Sequence, residues 1–299
     1  MTYDDVAAVF LAPLVDPIDA PDVTATPARR LRDALEPIAT QGWWSPQAGA
    51  RLDALGIDFL AGYVWGRAAS LGSPPASLVA ATFGVFEPGL IAAVYEAGSA
   101  LVSRGDILAA RADGATASVV AIADADACAA IADPLFAALD GLDGLGRPLF
   151  SALRSLPVPN SPAGRLWRAA ELVREHRGDA HLAALVAAGL TAAEANVLTE
   201  RWLGFGLGEY SATRGFGPAE LGIAVMNLRA RGWMNGDDLT QRGLATRVEI
   251  EEATDAGQQS LIEACGADLD DVIARASDVS SRLVAARAFP PDPRKRAGG

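Results

Sequence analysis

Two histidines, His176 and His181, are the whole imidazole complement of this 299-residue chain, and both lie in residues 163–189, AGRLWRAAELVREHRGDAHLAALVAAG. Imidazole is the side chain best suited to move a proton near neutral pH. Leu166, Ala169, Ala170 and Val173 recur at helical spacing, and His176 continues that face. Gly178 has the residue type of a helix C-terminal cap, and Asp179 that of the next N-cap. The spacing therefore predicts two helices meeting at a corner, with His176 ending the first and His181 in the first turn of the second. The helix dipoles would favour a charged His176 and a neutral His181, an acid and an acceptor side by side. The plainer alternative is that both rings tie the corner to backbone or to Asp179. No metal site is expected, because a five-residue spacing turns the rings apart, unlike the i, i+4 pair of H-E-x-x-H.

A second chemical group is Arg67. A helix predicted over 52–70 places Phe59, Leu60, Tyr63, Val64 and Arg67 on one broad face. A guanidinium on an apolar face must meet a carboxylate, a carbonyl or an anionic ligand. Glu36 and Glu87 are the internal partners considered.

The rest of the chain must position these groups. Hydrophobic residues make up 51% and charged ones 21%, which excludes a disordered chain. Alanine dominates and aromatics are 6%, which favours helices. The expected fold class is mainly α, multi-helical, with a winged-helix-like C-terminal half and an N-terminal half related to it. The net charge is −12 and Lys295 is the single lysine, so binding to nucleic acid would need a local basic patch and is not expected. Cys128 and Cys265 lie far apart and form neither a disulfide framework nor a metal spacing. With no signal peptide and no apolar run of membrane-spanning length, a cytoplasmic location without membrane contact is expected.

Residues 1–26 read as an N-terminal extension, with a short helix over 6–14. Residues 27–156 read as a helical domain, 163–288 as a winged-helix-like domain, and 289–299 as a mobile tail. Gly42 to Pro46 reads as a turn carrying Trp43 and Trp44. Thr191-Ala-Ala-Glu194 is a capping box that opens a helix, and Pro218 opens another that Gly232 ends. Asn235-Gly236 signals a hairpin. Two long helices, 241–264 and 269–288, close the domain; they are the elements through which a homodimer would form.

Helix, helix, hairpin, helix is similar to the end of MarR-like winged-helix domains, the resemblance covering about 180–260. It would make 218–231 the DNA-reading helix and the hairpin the wing. Yet that helix opens with Pro218, Ala219 and Glu220, its cations Arg229 and Arg231 lie at the far end, and the wing tip carries Asp237 and Asp238. A broader resemblance rests on GRAASLG (66–72), AATFGVF (80–86), REHRGDAH (174–181), LTQRG and RVEIEEATD (239–255). These resemble a family of high-GC bacteria labelled helix-turn-helix or SalK-like. It implies a helical protein of winged-helix character, with Arg67, Phe83, His176 and His181 in shared motifs, and it supplies no reaction.

Three functions compete. The first is binding of an aromatic or anionic small molecule in a pocket formed by Tyr63, Arg67, Phe83, His176, Arg177 and His181. The second is an enzyme using His176 as general acid or base, with His181 as the other catalytic candidate. The third is a MarR-type transcriptional regulator. No motif specifies a cofactor.

Overall fold

A computed structural model describes residues 8, 10–14, 16, 18 and 24–298. The helix expected over 6–14 falls largely outside the described residues; Ala8, Phe10 and Leu11 are helical. The chain is mainly helical. In order come α1 (Pro27–Ala39), α2 (Gln41–Trp44), α3 (Pro46–Ala54), α4 (Phe59–Ala68), α5 (Ala76–Phe83), α6 (Pro88–Leu101), α7 (Arg104–Val120), α8 (Ala125–Asp140), α9 (Pro148–Arg154) and α10 (Pro162–Ala187). There follow α11 (Ala192–Trp202), α12 (Pro218–Ala230), a hairpin of β1 (Met234–Asn235) and β2 (Asp238–Leu239), α13 (Gln241–Ala256), α14 (Gln259–Cys265), α15 (Leu269–Ala285) and α16 (Pro293–Gly298). No single helix among them is long and apolar enough to cross a membrane.

The axis of the molecule is α10, 26 residues long. Its first half buries Leu166, Ala169, Ala170 and Val173 in a core that also takes Leu31 and Leu35 from α1, Ile131 and Leu135 from α8, and Val272 and Leu283 from α15. A second core gathers Val64, Trp65, Phe83, Ile91 and Ile107 from α4 to α7. A third holds Val197, Leu198, Leu221, Val225, Leu228 and Trp233, the helix-turn-helix and its hairpin. The hairpin pairs Met234 with Leu239 and Asn235 with Asp238, and Gly236 takes the positive φ of 58° that the tight turn requires. The capping box at Thr191 is present, and the chain bends by 106° between α10 and α11.

Several sequence expectations are corrected. The corner at Gly178 does not exist: α10 runs through it without a break. A mid-helix glycine costs only about 1 kcal/mol relative to alanine, which packing on both sides overrides. Asp179 does carry out helix capping, but of another helix: its Oδ2 accepts from the Phe150 backbone N–H at 3.0 Å, near the start of α9. The helix expected over 52–70 is broken at Gly56, whose φ is +70°, and restarts where Asp58 accepts from the Ala61 N–H. The turn expected at Trp43 and Trp44 is the short α2. The helix expected over 241–264 breaks at Gly257, where α10 passes so close that a Cβ would lie 2.8 Å from the Ala180 Cβ. The expected tail carries a helix. Residues 293–298 form α16, with Ala297 buried and its carbonyl accepting from Arg29 at 3.1 Å, while Arg32 donates to the Arg296 carbonyl.

Another close approach shapes the first half. A Cβ on Gly114 of α7 would sit 2.5 Å from the Ala48 Cα of α3, a backbone atom that cannot swing away. Gly114→Ala is expected to force the two helices apart and cost about 1–3 kcal/mol in urea denaturation. An unchanged midpoint would show that the contact is looser.

Candidate functional site

Midway along α10 the apolar face gives way to Arg174, Glu175 and Arg177. Around them lies a cavity with about 120 Å³ open to water centres, room for several waters or a small ligand. Its walls come from four directions: Tyr63 and Arg67 of α4, Phe83 and Phe86, the central turns of α10 with His181, and Tyr210 and Arg214 beyond α11. Gly178 lines it too, and a Cβ there would meet only the Glu175 Oε2 at 3.7 Å, so the missing side chain leaves space at the wall.

Arg67 finds an internal carboxylate, but neither expected partner. It grips Glu175 bidentately, Nε to Oε1 at 3.0 Å and Nη2 to Oε2 at 2.8 Å, and donates to the Tyr63 hydroxyl at 2.8 Å. Its guanidinium lies 4.5 Å from the Phe83 ring centre. Glu36 is taken by Arg174 at 3.2 Å, and Glu87 caps α6 through the Gly89 and Leu90 N–H groups. Burial works to raise the Glu175 carboxyl, but Arg67 and Arg174 overcome it and hold it at about 2. Arg177 bonds away from the cavity to Glu251 at 2.8 Å and Asp255 at 3.1 Å.

Arg214 differs from its neighbours. It donates to the Tyr210 hydroxyl and lies 4.7 Å from the Phe86 ring centre, yet no carboxylate is within 4 Å of it among the described residues. Its Nε is buried without a hydrogen-bond partner. The guanidinium stays charged: burial works to lower its pKa, but the Tyr210 and Tyr63 hydroxyls together overcome it.

A second chamber, with about 100 Å³ open to water centres, adjoins the first across Glu36, Tyr63, Phe86, Arg174, Tyr210 and Arg214. Aromatic rings dominate its walls, among them Phe10, Trp43, Trp44, Phe59 and Phe289, and Lys295 closes it.

Of the six residues expected at a binding site, Tyr63, Arg67, Phe83, Arg177 and His181 line the first chamber together. His176 does not. Its ring lies elsewhere on α10, edge-on to Phe150 with Nδ1 2.9 Å from the Gln258 Oε1. Burial pushes His176 to about 4, so it is neutral at pH 7 and the dipole-charged acid expected at a helix end is absent. His181 is held lower, at about 3, by burial and by Arg247, Arg177 and Arg32 against Glu251. Thr254 donates its hydroxyl proton to the Ile250 carbonyl, so the 3.0 Å contact to His181 requires Nδ1 to be the donor. The remaining ring nitrogen of His181 is then a bare acceptor.

Sequence reasoning missed Arg174, Tyr210, Arg214 and Lys295. Arg174 lies in REHRGDAH but was passed over for the histidines, Tyr210 and Arg214 sit in a segment without a motif, and only the rarity of lysine marked Lys295.

Three of the cations near the hairpin are committed internally, while Arg242 is exposed. Arg201 pairs with Asp238 at 2.7 Å, and Arg229 with Asp237 at 3.3 Å. Arg231 stacks 3.5 Å above the Trp233 ring. On α12 the exposed side chains include Ile223 and Met226.

No curated protein and no solved structure matches the chain. A family profile described as a helix-turn-helix family matches residues 28–290, which takes in the first core, the hairpin and the chamber walls other than Phe10, Lys295 and Gly298, and the chain belongs to that family.

Proposed function

We propose that this protein binds a small aromatic anion in the paired chambers. One observation carries the reading. In a chain of net charge −12, the first chamber is lined by Arg32, Arg67, Arg174, Arg177 and Arg214 against Glu36 and Glu175, and Arg214 has no carboxylate of its own among the described residues. A half-buried guanidinium facing a cavity is stabilised by an incoming carboxylate or phenolate, and the aromatic second chamber accommodates a ring.

In this reading the helix-turn-helix is a scaffold. Its hairpin carboxylates already hold Arg201 and Arg229, which leaves little cation for phosphates. Through Tyr210 and Arg214 it also supplies one wall of the site. His176 lies outside the chambers and has no part in the proposal.

Benzoate tests it, with benzamide as the neutral control. Benzoate is expected to raise the melting temperature in proportion to the logarithm of its concentration once binding saturates, and benzamide to leave it unchanged. Arg214→Gln is expected to remove the benzoate effect while the protein stays folded by circular dichroism. No shift with benzoate at tens of millimolar, or an equal shift with benzamide, would overturn the reading.

A further inference from the structure

Lys295 is the only lysine in the chain, and it sits at the wall of the aromatic chamber on α16. Its Nζ is 3.7 Å from the Phe10 ring centre, 4.7 Å from that of Phe205 and 5.1 Å from that of Tyr210. No carboxylate lies within 4 Å of it among the described residues. The nearby Asp292 is taken by Arg294 at 2.8 Å. Arg214 lies 4.8 Å from the centre of the same Tyr210 ring, so amine and guanidinium are within about 10 Å of each other.

We propose that Lys295 is a reactive amine that forms an imine with the carbonyl of an aromatic aldehyde or 2-oxo acid whose carboxylate is held by Arg214. This rests on the chambers binding an aromatic anion and names the class of anion. Arginine could replace lysine for charge or stacking at this position, but only a primary amine condenses with a carbonyl. The neutral Nζ attacks the carbonyl carbon and a C–N bond forms. The carbonyl oxygen then leaves as water, carrying both protons of the neutral amine. No oxidant or reductant is needed.

The surroundings favour the neutral amine. Burial, and then the Arg214 charge, lower Lys295 to about 8. Roughly one amine in ten is then unprotonated at pH 7, against roughly one in three thousand for an ordinary lysine. A desolvated lysine beside a second cation is a known route to such a nucleophile.

The test uses the full chain with 4-carboxybenzaldehyde and cyanoborohydride, which reduces an imine to a stable secondary amine. Peptide mapping is expected to find one adduct per chain, on Lys295, absent in Lys295→Arg. Trapping should slow about ten-fold with plain benzaldehyde and about ten-fold in Arg214→Gln, the loss of one charge-assisted contact to the ligand. An adduct confined to the N-terminal amine, or one on Lys295 that forms as fast without the carboxylate or without Arg214, overturns the proposal. Benzoate stabilisation with no trapping at Lys295 overturns this inference alone. Absence of both overturns the binding reading as well. The circular dichroism spectrum and the ligand-free melting temperature of Lys295→Arg should match those of the parent, which separates lost chemistry from lost folding.

Discussion

Replacing Glu251 by alanine is expected to cost about 3–5 kcal/mol, the usual consequence of removing one partner from a buried ion pair. Glu251 is a hub. Arg29 of α1 lies 3.2 Å from its carboxylate, Arg177 of α10 2.8 Å, and Arg247 of α13 2.7 Å, and all three arginines are buried. Burial works to raise the Glu251 carboxyl, yet these arginines hold it well below the usual carboxylate range. Two of them have a second carboxylate: Arg29 has Asp33 and Arg177 has Asp255. Arg247 does not. Without Glu251 it keeps only the Thr199 hydroxyl at 3.3 Å and the Trp202 ring, with its centre 4.1 Å away. The loss is therefore concentrated on one stranded guanidinium. This gives the prediction a second arm: adding Arg247→Met to Glu251→Ala is expected to recover part of the loss, because the orphaned charge goes with it. Urea denaturation of the single and double variants is the measurement. A single variant within about 1 kcal/mol of the parent would mean that the network contributes no more than a surface pair does.

The same network shows what the sequence could and could not reveal. Local signals were legible. The Thr191 capping box, the proline opening α12, the Asn235-Gly236 turn and the helical periodicity of Leu166 to Val173 all depend on neighbours in the chain, and all appear where they are expected. Gly178 and Asp179 misled for the same reason. Their residue types are those of a helix break, but Asp179 caps α9, 29 positions away, and nothing local records that. The site was legible in part. Arg67 was marked by a charge on an apolar face, but its partner Glu175 lies 108 positions on, and charge alone could not choose it over Glu36 or Glu87. Arg214 and Tyr210 could not be found from sequence, because they reach the chamber from a single 3-10 turn, Ser211–Arg214, too short to show periodicity. The helix in the tail was not legible because its composition is that of a chain end, and Arg29 and Arg32 bond to it through backbone carbonyls, which any residue would offer.

Acidification from pH 6 to 4.5 is expected to cost the parent protein about 2 kcal/mol more than it costs His181→Asn. The sign follows from which state binds protons. His181 and His176 have folded values of about 3 and about 4, depressed from 6.5. Each therefore contributes stability that is complete above 6.5 and lost as the pH falls toward the folded value, at about 1.4 kcal/mol per unit, because the unfolded chain takes up the proton first. Asp179 runs the other way. Burial raises it to about 6 against the Phe150 N–H, so in this window the folded protein takes up a proton that the unfolded chain, with an ordinary value of 3.8, does not. Asp179 thus offsets one histidine and leaves one uncompensated. Glu175, held at about 2 against an ordinary 4.5, and Glu251 begin to lose their contribution at the bottom of this window, where unfolded glutamates take up protons, and they do so equally in both proteins, by about 0.4 kcal/mol each. Removing His181 leaves His176 and Asp179 in balance, and the profile should flatten. Asparagine is the chosen replacement because its amide N–H₂ can still donate to Thr254 as the imidazole Nδ1 does. Urea midpoints for the two proteins at pH 6 and 4.5 decide the matter. If the variant falls as steeply as the parent, the imidazole of His181 is not held neutral among Arg32, Arg177 and Arg247, and the chamber wall is wetter than its geometry implies.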